Sequence, residues 1–353
     1  MARVAATVGA MTADELLTTP PVGASLDEAA EIAHTYFGLS GSVTSLGGES
    51  DDNFRVATPD GDFSLKIANP ANRPSILEMH QLALGHIAST DPSLPIPDPV
   101  RTSGGDLVGV AQFETGVAAV RLVTFITGSP IPHGFSTGLL RRNLGNLLAR
   151  IDQALQGFEH PEQDRDYSWD VAQLGSIRGQ IHHLADDRLD FVSRWMGHFD
   201  DEVEPRISTL PSQVIHSDLN AGNLIVNPAT PETVIGVIDF ADVIRSARVI
   251  DPAVAVAYQC FGQQDPVLVA ADFIGAYHQV TALTSAEIDL VPDLVTARLV
   301  QSLAIGAWRA QLHPDNRDYI LSDAEAAWRA IQRLEEVGTV ALRLAIHKAC
   351  ESR

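Results

Sequence analysis

The pattern of apolar and polar positions divides the chain into a strand-rich first part and a mostly helical second part. Strict alternation predicts strands, whereas apolar residues spaced three and four apart predict helices. The turn residues of 59–62 join two alternating segments into a predicted hairpin. The first part is predicted to contain two helices and five strands, with helices over 26–38 and 74–89 and strands over 43–46, 53–58, 63–67, 107–113 and 120–126.

After a break at 128–130, one island of strands over 214–240 interrupts the predicted helices. Strands that flank a polar loop inside a helical region usually present that loop to a ligand. The pattern predicts an α+β protein with a flexible leader over 1–24, a first lobe over 25–127 and a second lobe over 128–353. The helices of the second lobe are predicted over 136–156, 170–184, 186–200, 251–261, 265–282, 285–310 and 321–349.

Composition narrows the class of protein without identifying it. The 353 residues are 45% hydrophobic and 20% charged, which is ordinary for a globular protein. No uninterrupted apolar run reaches the roughly 20 residues needed to cross a bilayer, so no membrane span is predicted. The N-terminus is a poor secretory signal, and either Met1 or Met11 could be the start. Two distant cysteines, Cys260 and Cys350, indicate no disulfide framework and favour a cytoplasmic location.

The net charge of −21 at pH 7 argues against nucleic acid and anionic membranes as partners, because like charges repel. Two interpretations of this charge stay open. It serves solubility, or it attracts a small-molecule substrate that carries an amine. The same choice applies to Asp51 and Asp52, which could face a cationic substrate or water.

The island of strands carries the candidate chemistry. Its loop over 216–223 places Asp218 and Asn223 at one end of a predicted hairpin, and the next strand ends at Asp239. Two carboxylates and an amide together offer the hard oxygen ligands that Mg²⁺ prefers. Phosphoryl transfer needs a group to hold the metal, a carboxylate to orient and deprotonate the attacking hydroxyl, and a lysine for the nucleotide phosphates. Lys66, on a strand of the first lobe, is the candidate lysine.

The motif H-x-D-x-x-x-x-N at 216–223, followed by I-D-F at 238–240, resembles the catalytic and metal motifs of the protein-kinase-like superfamily. The similarity is to its aminoglycoside phosphotransferase and choline kinase branch. This resemblance implies Asp218 as the catalytic base, Asn223 and Asp239 as ligands of Mg²⁺, and ATP or GTP as the phosphoryl donor. It also implies a two-lobed fold, with a five-stranded antiparallel sheet and a helix in the small lobe, a mainly helical large lobe, and nucleotide between them.

Three neighbouring positions receive separate interpretations. Ala241 stands where the glycine of D-F-G is expected, a variation that this branch tolerates. His216 is implied to be structural rather than catalytic, because the loop histidine of the family usually packs beside the metal-binding acid. Asp251 precedes Pro252 and is predicted to cap the next helix.

The first lobe matches the nucleotide-binding half of the family. The segment L-K-I at 65–67 matches the strand of the nucleotide-binding lysine, and Glu78 in the next helix matches its ion-pair partner. The loop over 47–53 stands where the phosphate-covering loop belongs, with Ser50 as a candidate contact and a plain hairpin turn as the alternative. The nucleotide base is expected beside Phe125, Ile126 and Thr127.

Candidates for the acceptor site lie near the metal motif and among the aromatic residues of the second lobe. Asp242 could reach an amine or a second metal, or be a turn residue. Trp169 and Trp308 could line the pocket, because aromatic faces attract ammonium groups, and core packing is the alternative. Arg245 and Arg248 could pair with the catalytic carboxylate or with a substrate carboxylate, or form pairs elsewhere.

Flanking segments narrow the resemblance further. The segments at 48–56, 121–131 and 167–170 are similar to a subgroup that contains hydroxylysine kinase and the kinase-like domain fused to class III aminotransferases. Together with the charge, this implies a small-molecule kinase acting on the hydroxyl of a small amino alcohol or hydroxy amino acid. An aminoglycoside O-phosphotransferase is the alternative within the class. A catalytically idle nucleotide-binding pseudokinase is the alternative of another class.

Overall fold

The computed structural model describes residues 13–48, 50–132 and 134–351. These residues form two compact units. The first unit comprises the residues up to Gly85 together with Pro97–Phe125, and the second comprises His86–Ile96 and the residues from Ile126 onward. The segment His86–Ile96, which the sequence analysis assigns to the first lobe, therefore belongs to the second unit.

The first unit is built on an antiparallel sheet. Its elements are α1 Ala13–Thr18, α2 Leu26–Phe37, β1 Ser42–Ser45, β2 Asp52–Thr58, β3 Gly61–Ile67, α3 Pro74–Thr90 up to Gly85, β4 Pro99–Val100, β5 Gly109–Phe113 and β6 Gly116–Thr124. The order of the strands is β1-β2-β3-β6-β4, and β5 also pairs with β6. The α+β class and the antiparallel sheet are confirmed.

The sheet has six strands rather than the predicted five. The additional strand is β4, two residues long, which pairs Pro99 with Val123 and Val100 with Leu122. It begins at Pro99, the last of the four prolines in 92–99. Proline is tolerated there because β4 is an edge strand, where its missing N–H is not needed for a second ladder.

Helix α2 packs on one face of this sheet. Ser25 and Glu28 form a capping box at its start, and Gly38 ends it with a φ of 68°. The buried apolar side chains of α2 and of the strands form one core, which includes Ile32, Phe37, Phe54, Val56, Leu65, Ile67, Val120 and Leu122. Alternation along β2 and β3 thus buries one face of each strand, as the sequence pattern indicates.

The predicted leader over 1–24 is partly structured. Residues 1–12 lie outside the described residues, but α1 follows them. The Asp52 carboxylate accepts hydrogen bonds from the backbone N–H groups of Gly23 and Ala24, at 2.8 and 3.1 Å. The end of the leader is therefore attached to the first unit. These contacts also give Asp52 an internal role in place of the predicted cationic substrate or water.

The second unit is mainly helical. Its helices are α4 Gly138–Ala154, α5 Asp186–His198, α6 Glu204–Ile207, α7 Ile250–Gln259, α8 Pro266–Val280, α9 Ser285–Leu312, α10 Arg317–Ile320, α11 Ala324–Val337 and α12 Thr339–Glu351. Its strands are β7 Ser129–Pro130, β8 Ser212–Ile215, β9 Leu224–Asn227, β10 Thr230–Val237 and β11 Ile244–Ala247. One small sheet has the order β10-β9-β7, and a second pairs β11 with β8.

Two predicted helices of this unit differ from the structure. Val171–His183 consists of 3₁₀ turns, interrupted at Gln173 by a non-helical φ of −104° and ψ of 21°. The predicted helix over 321–349 is divided into α11 and α12 at Gly338. Gly338 has a φ of 78°, a conformation that glycine adopts without the steric cost of a Cβ atom.

Helix α9 is the central helix of the second unit. Thr284 and Glu287 form a capping box at its start, and it continues for 28 residues. Among the described residues it is the one helix long and apolar enough to cross a membrane, judged by length and composition. However, 89% of its apolar window is buried inside the protein, as in the core helix of a globular protein. Charged residues, Arg298 among them, interrupt its apolar run.

Candidate active site

Two antiparallel strand pairs bring the residues of the predicted catalytic motifs together. In the β8–β11 pair, Ile215 lies opposite Ile244, so the loop after β8 and the loop before β11 share one end. In the β9–β10 pair, the N–H of Ile238 donates to the carbonyl of Asn223 at 2.9 Å. Asn223 and Asp239 therefore stand at the adjoining ends of β9 and β10, which is the predicted arrangement.

The carboxylate of Asp218 is held by side chains of its own loop. Its Oδ2 accepts hydrogen bonds from Nδ2 of Asn220 and Nδ2 of Asn223, each at 2.8 Å. Asn223 Nδ2 also donates to the main-chain oxygen of Asp218 at 2.9 Å. Because the amide nitrogen of Asn223 is used in this way, its amide oxygen is the atom left to bind a ligand.

The other oxygen of Asp218 faces Arg298 of α9, a residue that sequence reasoning missed. Arg298 Nη2 lies 2.8 Å from Asp218 Oδ1, and the two side chains are 2% and 19% exposed. The predicted alternatives Arg245 and Arg248 do not supply this contact, because Arg245 is exposed and Arg248 pairs with Glu287 at 2.8 Å. The signal for Arg298 was a single charge in the apolar stretch of α9 between Asp293 and Arg309, since a buried arginine is normally paired.

The rings of Trp169 and Tyr258 lie against the guanidinium group of Arg298. The guanidinium carbon lies 4.8 Å from the ring centre of Trp169 and 5.4 Å from that of Tyr258. The cation that contacts the ring of Trp169 is therefore Arg298, a residue of the protein, and not the ammonium group of a substrate. Trp308 is 8% exposed and lies ten residues beyond Arg298 in α9, about 15 Å along the helix axis. Its burial favours the alternative of core packing.

The backbone of the catalytic loop is anchored by Asp251, and this corrects its predicted role as a helix cap. Asp251 lies inside α7, and its two oxygens accept the N–H groups of His216 at 2.8 Å and Ser217 at 2.9 Å. Ser217 has a φ of 68°, a costly conformation for a residue with a Cβ atom. The His216 ring packs edge-on against Phe240 with centroids 4.6 Å apart, as expected of a structural histidine.

A second buried acid, Asp152 of α4, supports Asp251. Burial and the adjacent Asp251 carboxylate raise the pKa of Asp152 well above its ordinary value. Burial also raises the pKa of Asp251, and we interpret the two buried carboxyl groups as sharing one proton. That proton belongs on Asp152, because both Asp251 oxygens already accept backbone N–H groups. Tyr277 donates its hydroxyl to Asp152 Oδ2 at 2.5 Å.

The segment after β10 carries the remaining predicted acids. Asp239 is exposed and has a φ of 59°. The hydroxyl of Tyr167 donates to Asp242 Oδ1 at 2.5 Å. Burial and the nearby Asp218 carboxylate raise the pKa of Asp242 to about 7, although Tyr167 and Arg298 favour its ionised form. Asp242 lies in a turn, and its carboxyl group belongs to the same charged cluster as Asp218 and Arg298.

The donor atoms around Asp218 fit a hard divalent cation. No group of three or more histidine, cysteine, aspartate or glutamate side chains in the described part of the chain is arranged to hold a metal. The predicted ligands, the Asn223 amide oxygen and the Asp239 carboxylate, are two oxygen donors. Mg²⁺ is commonly bound by one or two carboxylates and otherwise by water and phosphate, so this set is sufficient.

The predicted lysine of the first unit lies where its strand was expected, but its ion pair differs. Lys66 is in β3, opposite Asn53 of β2, and its Nζ lies 3.2 Å from Asp51 Oδ2. Asp51 Oδ1 also accepts the backbone N–H of Asn69 at 2.8 Å. Glu78, the partner expected from the resemblance, is exposed on α3. Asp51 therefore contacts a cation of the protein, and Glu78 as the positioning residue of Lys66 stays a prediction.

Four other residues are predicted to bind the nucleotide, and their contacts and exposure are as follows. Ser50 accepts hydrogen bonds from Asn69 Nδ2 at its main-chain oxygen, 3.2 Å, and at its hydroxyl, 3.4 Å. Phe125 has the guanidinium of Arg55 over its ring at 4.8 Å. Ile126 is half-buried, and Thr127 is exposed. Their contacts with a nucleotide stay predictions.

The chain matches the model of the APH phosphotransferase enzyme family over residues 43–290 and belongs to that family. The predicted class, a phosphotransferase of the aminoglycoside phosphotransferase-like kinases, is confirmed by this match. The matched region includes Lys66, Asp218, Asn223 and Asp239.

Among known relatives, hydroxylysine kinase of Mus musculus is 25% identical over 341 residues, which cover 89% of this chain and 90% of that protein. Two solved structures share the fold, each with a TM-score of 0.67. An amicoumacin kinase in complex with AMP-PNP and Ca²⁺ is 15% identical and covers 90% of this chain and 95% of its own. A microcompartment-associated aminopropanol kinase is 20% identical and covers 92% and 99%.

Proposed function

We propose that the protein transfers the γ-phosphoryl group of ATP or GTP to the hydroxyl of a small amino alcohol or hydroxy amino acid similar to hydroxylysine. The observation that carries this proposal is the fixed carboxylate of Asp218, bound at Oδ1 by Arg298 and at Oδ2 by Asn223. A carboxylate held from both sides stays aligned with an incoming hydroxyl, which is what a general base requires.

In the proposed reaction, Asp218 orients the acceptor hydroxyl and takes its proton. The hydroxyl oxygen forms the new bond to the γ-phosphorus, and the bond between that phosphorus and the bridging oxygen of the nucleoside diphosphate breaks. Lys66 is proposed to contact the nucleotide phosphates and Glu78 to position Lys66. Further nucleotide contacts are proposed for Ser50, Phe125, Ile126 and Thr127.

Mg²⁺ is the proposed metal, held by the amide oxygen of Asn223 and the carboxylate of Asp239. Its chemistry, when bound, is to neutralise phosphate charge. The support from the chain itself is the orientation of Asn223, whose amide nitrogen is engaged by Asp218 at 2.8 Å and leaves the oxygen for a ligand. Asp239 contributes the negative charge that a divalent ion requires.

An acceptor that carries an amine is supported by the charge and by the relatives. The chain has a net charge of −21, and the names of the relatives include a hydroxylysine kinase and an aminopropanol kinase. Asp242 is the proposed contact for the ammonium group, because it is a carboxylate within the Asp218 cluster. Trp169 is proposed to contribute less to binding of the ammonium group, because the guanidinium group of Arg298 already lies over its ring.

A cytoplasmic location is part of the same proposal. It is supported by the free thiols of Cys260 and Cys350, which suit a reducing compartment. Burial raises the pKa of the Cys260 thiol to about 12, so this group stays protonated and unreactive at neutral pH.

The test is an acceptor screen with purified full-length protein, Mg²⁺ and either ATP or GTP. The panel contains hydroxylysine, homoserine, ethanolamine and 1-amino-2-propanol, with aminoglycosides as a separate arm and the deaminated analogues as controls. We expect acceptor-dependent release of nucleoside diphosphate with an amino alcohol or hydroxy amino acid, and at least tenfold less with its deaminated analogue. Turnover of aminoglycosides alone would contradict the proposed acceptor. Nucleotide binding without turnover of any acceptor would instead indicate an idle module.

A further inference from the structure

We infer that Arg298 is a positioning residue for the reaction: it fixes the catalytic carboxylate of Asp218 and couples it to Trp169 and Tyr258. This inference rests on the proposed role of Asp218 as the base. It assigns a function to a residue of α9 that lies 80 positions from Asp218 and outside the motifs at 216–223 and 238–240.

The terminal nitrogens of Arg298 are fully used. Nη1 donates to the carbonyl of Trp169 at 3.0 Å and to Gln301 Oε1 at 3.2 Å. Nη2 donates to Asp218 Oδ1 at 2.8 Å and to the Tyr258 hydroxyl at 3.0 Å. These four contacts satisfy the four N–H groups that two guanidinium nitrogens carry. A planar group held at four points cannot rotate without losing several contacts at once.

The same contacts exclude a direct role for Arg298 in binding an anionic ligand. Its side chain is 2% exposed, and a phosphate or carboxylate would have to displace Asp218 or Tyr258 to reach Nη2. Burial of a charge without a partner is strongly unfavourable, so such a displacement is opposed. Arg298 therefore acts through Asp218.

The effect on Asp218 is to define the plane of its carboxylate. Arg298 binds Oδ1 from α9, while Asn220 and Asn223 bind Oδ2 from the catalytic loop. Without Arg298, Oδ1 loses its one charged partner among the described residues, and only the neutral hydrogen-bond donors Asn220 and Asn223, both at Oδ2, still oppose rotation of the carboxylate. A misplacement of about 1 Å in a reacting group can lower a rate about 100-fold.

Two aromatic rings and Gln301 further restrict the movement of Arg298. The Arg298 guanidinium lies over Trp169 at 4.8 Å and over Tyr258 at 5.4 Å. Gln301, one turn further along α9, binds Arg298 through Oε1 and the carbonyl of Ser168 through Nε2 at 2.8 Å. The position of Asp218 is thus tied to 168–169 as well as to its own loop.

The test compares Arg298→Gln and Arg298→Lys with a matched control, Arg141→Gln. Arg141 also forms a buried ion pair in the second unit, with Asp272 at 2.6 Å, but it joins α4 to α8. For Arg298→Gln we expect kcat to fall about 100-fold with the Kd for nucleotide unchanged. Arg298→Lys should recover part of the lost kcat, because it restores the positive charge but not the planar arrangement of N–H donors. Arg141→Gln should lower the Tm and keep kcat per folded molecule.

Chemical rescue provides a second measurement that a purely structural role would not affect. Guanidinium chloride, at concentrations far below the unfolding range, should raise the kcat of Arg298→Ala, and urea at the same concentration should not. The inference is overturned if Arg298→Gln keeps kcat within about threefold of wild type, a change too small for lost alignment. It is also overturned if guanidinium and urea act alike on folded Arg298→Ala.

The inference and the proposed function fail in different ways. Each variant is measured both with the acceptor and in its absence, where water accepts the phosphoryl group and nucleotide hydrolysis is followed. If wild type phosphorylates no acceptor but hydrolyses nucleotide, the proposed acceptor class is wrong. The role of Arg298 is then decided by hydrolysis alone. Equal hydrolysis by wild type and Arg298→Gln would contradict that role.

Discussion

The catalytic loop over 216–223 and the acidic loop over 47–53, whose residue 49 lies outside the described residues, use charge in opposite ways. In the catalytic loop, the Asp218 carboxylate is matched by Arg298, a cation with no other proposed ligand. In the acidic loop, the Asp51 carboxylate is matched by Lys66, the cation proposed to bind phosphate. The first pair is compatible with catalysis as it stands, whereas phosphate binding to Lys66 has to compete with Asp51.

The two loops also differ in the strain of their backbones. Ser217 in the catalytic loop has a φ angle of 68°, which costs about 1–3 kcal/mol for a residue with a side chain. A hydrogen bond from the N–H of Ser217 to Asp251 holds this conformation in place. The acidic loop turns at Gly47, with φ 73°, where a glycine removes the strain. The catalytic loop therefore maintains a strained conformation at a buried anchor, whereas the turn of the acidic loop at Gly47 does not require one.

The largest expected effect is that of Asp218→Asn in the catalytic loop. The amide cannot accept the hydroxyl proton, so kcat should fall about 10³-fold, within the range of general-base contributions. Nucleotide affinity should be unchanged, because Lys66 and its unit are untouched. Steady-state turnover and nucleotide titration check the two statements. Wild-type turnover in the variant would show that another group is the base.

The features that are encoded locally in the chain could be predicted from its sequence. Alternation predicts β2 and β3, and motif spacing together with strand ends predicts that Asp218, Asn223 and Asp239 converge. Each of these features depends on the period of a strand or on the residues of one loop.

Contacts between distant elements were not predictable in this way. Arg298 reaches Asp218 across 80 positions, and Asp251 reaches Ser217 across 34. The ion pair of Lys66 with Asp51 was missed because the resemblance directed attention to Glu78. In each case the partner is chosen by how elements pack in three dimensions. A local pattern shows that a buried charge needs a partner, but not which residue supplies it.

The next largest effect distinguishes the roles of Asp251 and Asp152, the two buried acids that support the catalytic loop. Asp251→Asn replaces a carboxylate that accepts two backbone N–H groups with an amide that has a single acceptor oxygen. A hydrogen bond to a charged group is worth about 1.5–3 kcal/mol, so the Tm should fall by several degrees. Turnover should fall at least tenfold as Ser217 relaxes. Thermal unfolding and kcat, measured on the same preparation, test this.

Asp152→Asn is the matched variant, with the opposite expectation. Its amide nitrogen can donate to Asp251 and its oxygen can accept from Tyr277, as the protonated acid does. Turnover should stay at the wild-type level. Equal losses of turnover in the two variants would contradict the assignment of the shared proton to Asp152.

The pH dependence of stability follows from the same proton. Folded Asp152 keeps a raised pKa, while the unfolded group titrates near its ordinary value of 3.8. Above that pH the folded chain binds more protons than the unfolded chain, so the contribution of Asp152 to stability decreases as the pH rises toward the raised pKa. Asp152→Asn removes this loss, and its Tm relative to wild type should therefore be higher at pH 8 than at pH 5. An equal difference in Tm between the variant and wild type at the two pH values would contradict this expectation.

A smaller effect is expected at Asp242, the proposed contact for the acceptor amine. Asp242→Asn keeps the size of the side chain and an oxygen for the Tyr167 hydroxyl, but removes the negative charge. The KM for an amine-bearing acceptor should rise about tenfold, as for one charged contact of about 1.4 kcal/mol. The nucleotide KM should stay the same. An equal change for the deaminated analogue would show that Asp242 does not recognise the amine.

The smallest effects are expected in the acidic loop, where Asp51→Asn and Glu78→Gln distinguish two views of Lys66. If Asp51 competes with phosphate for Lys66, Asp51→Asn should lower the Kd for nucleotide about two- to threefold, because a partly exposed ion pair contributes up to about 1 kcal/mol. If Glu78 positions Lys66, Glu78→Gln should raise the nucleotide KM by a similar factor. Titration of nucleotide into each variant measures both. Weaker binding by Asp51→Asn would mean that Asp51 orients Lys66 rather than competing for it, and the difference between the two loops would then disappear.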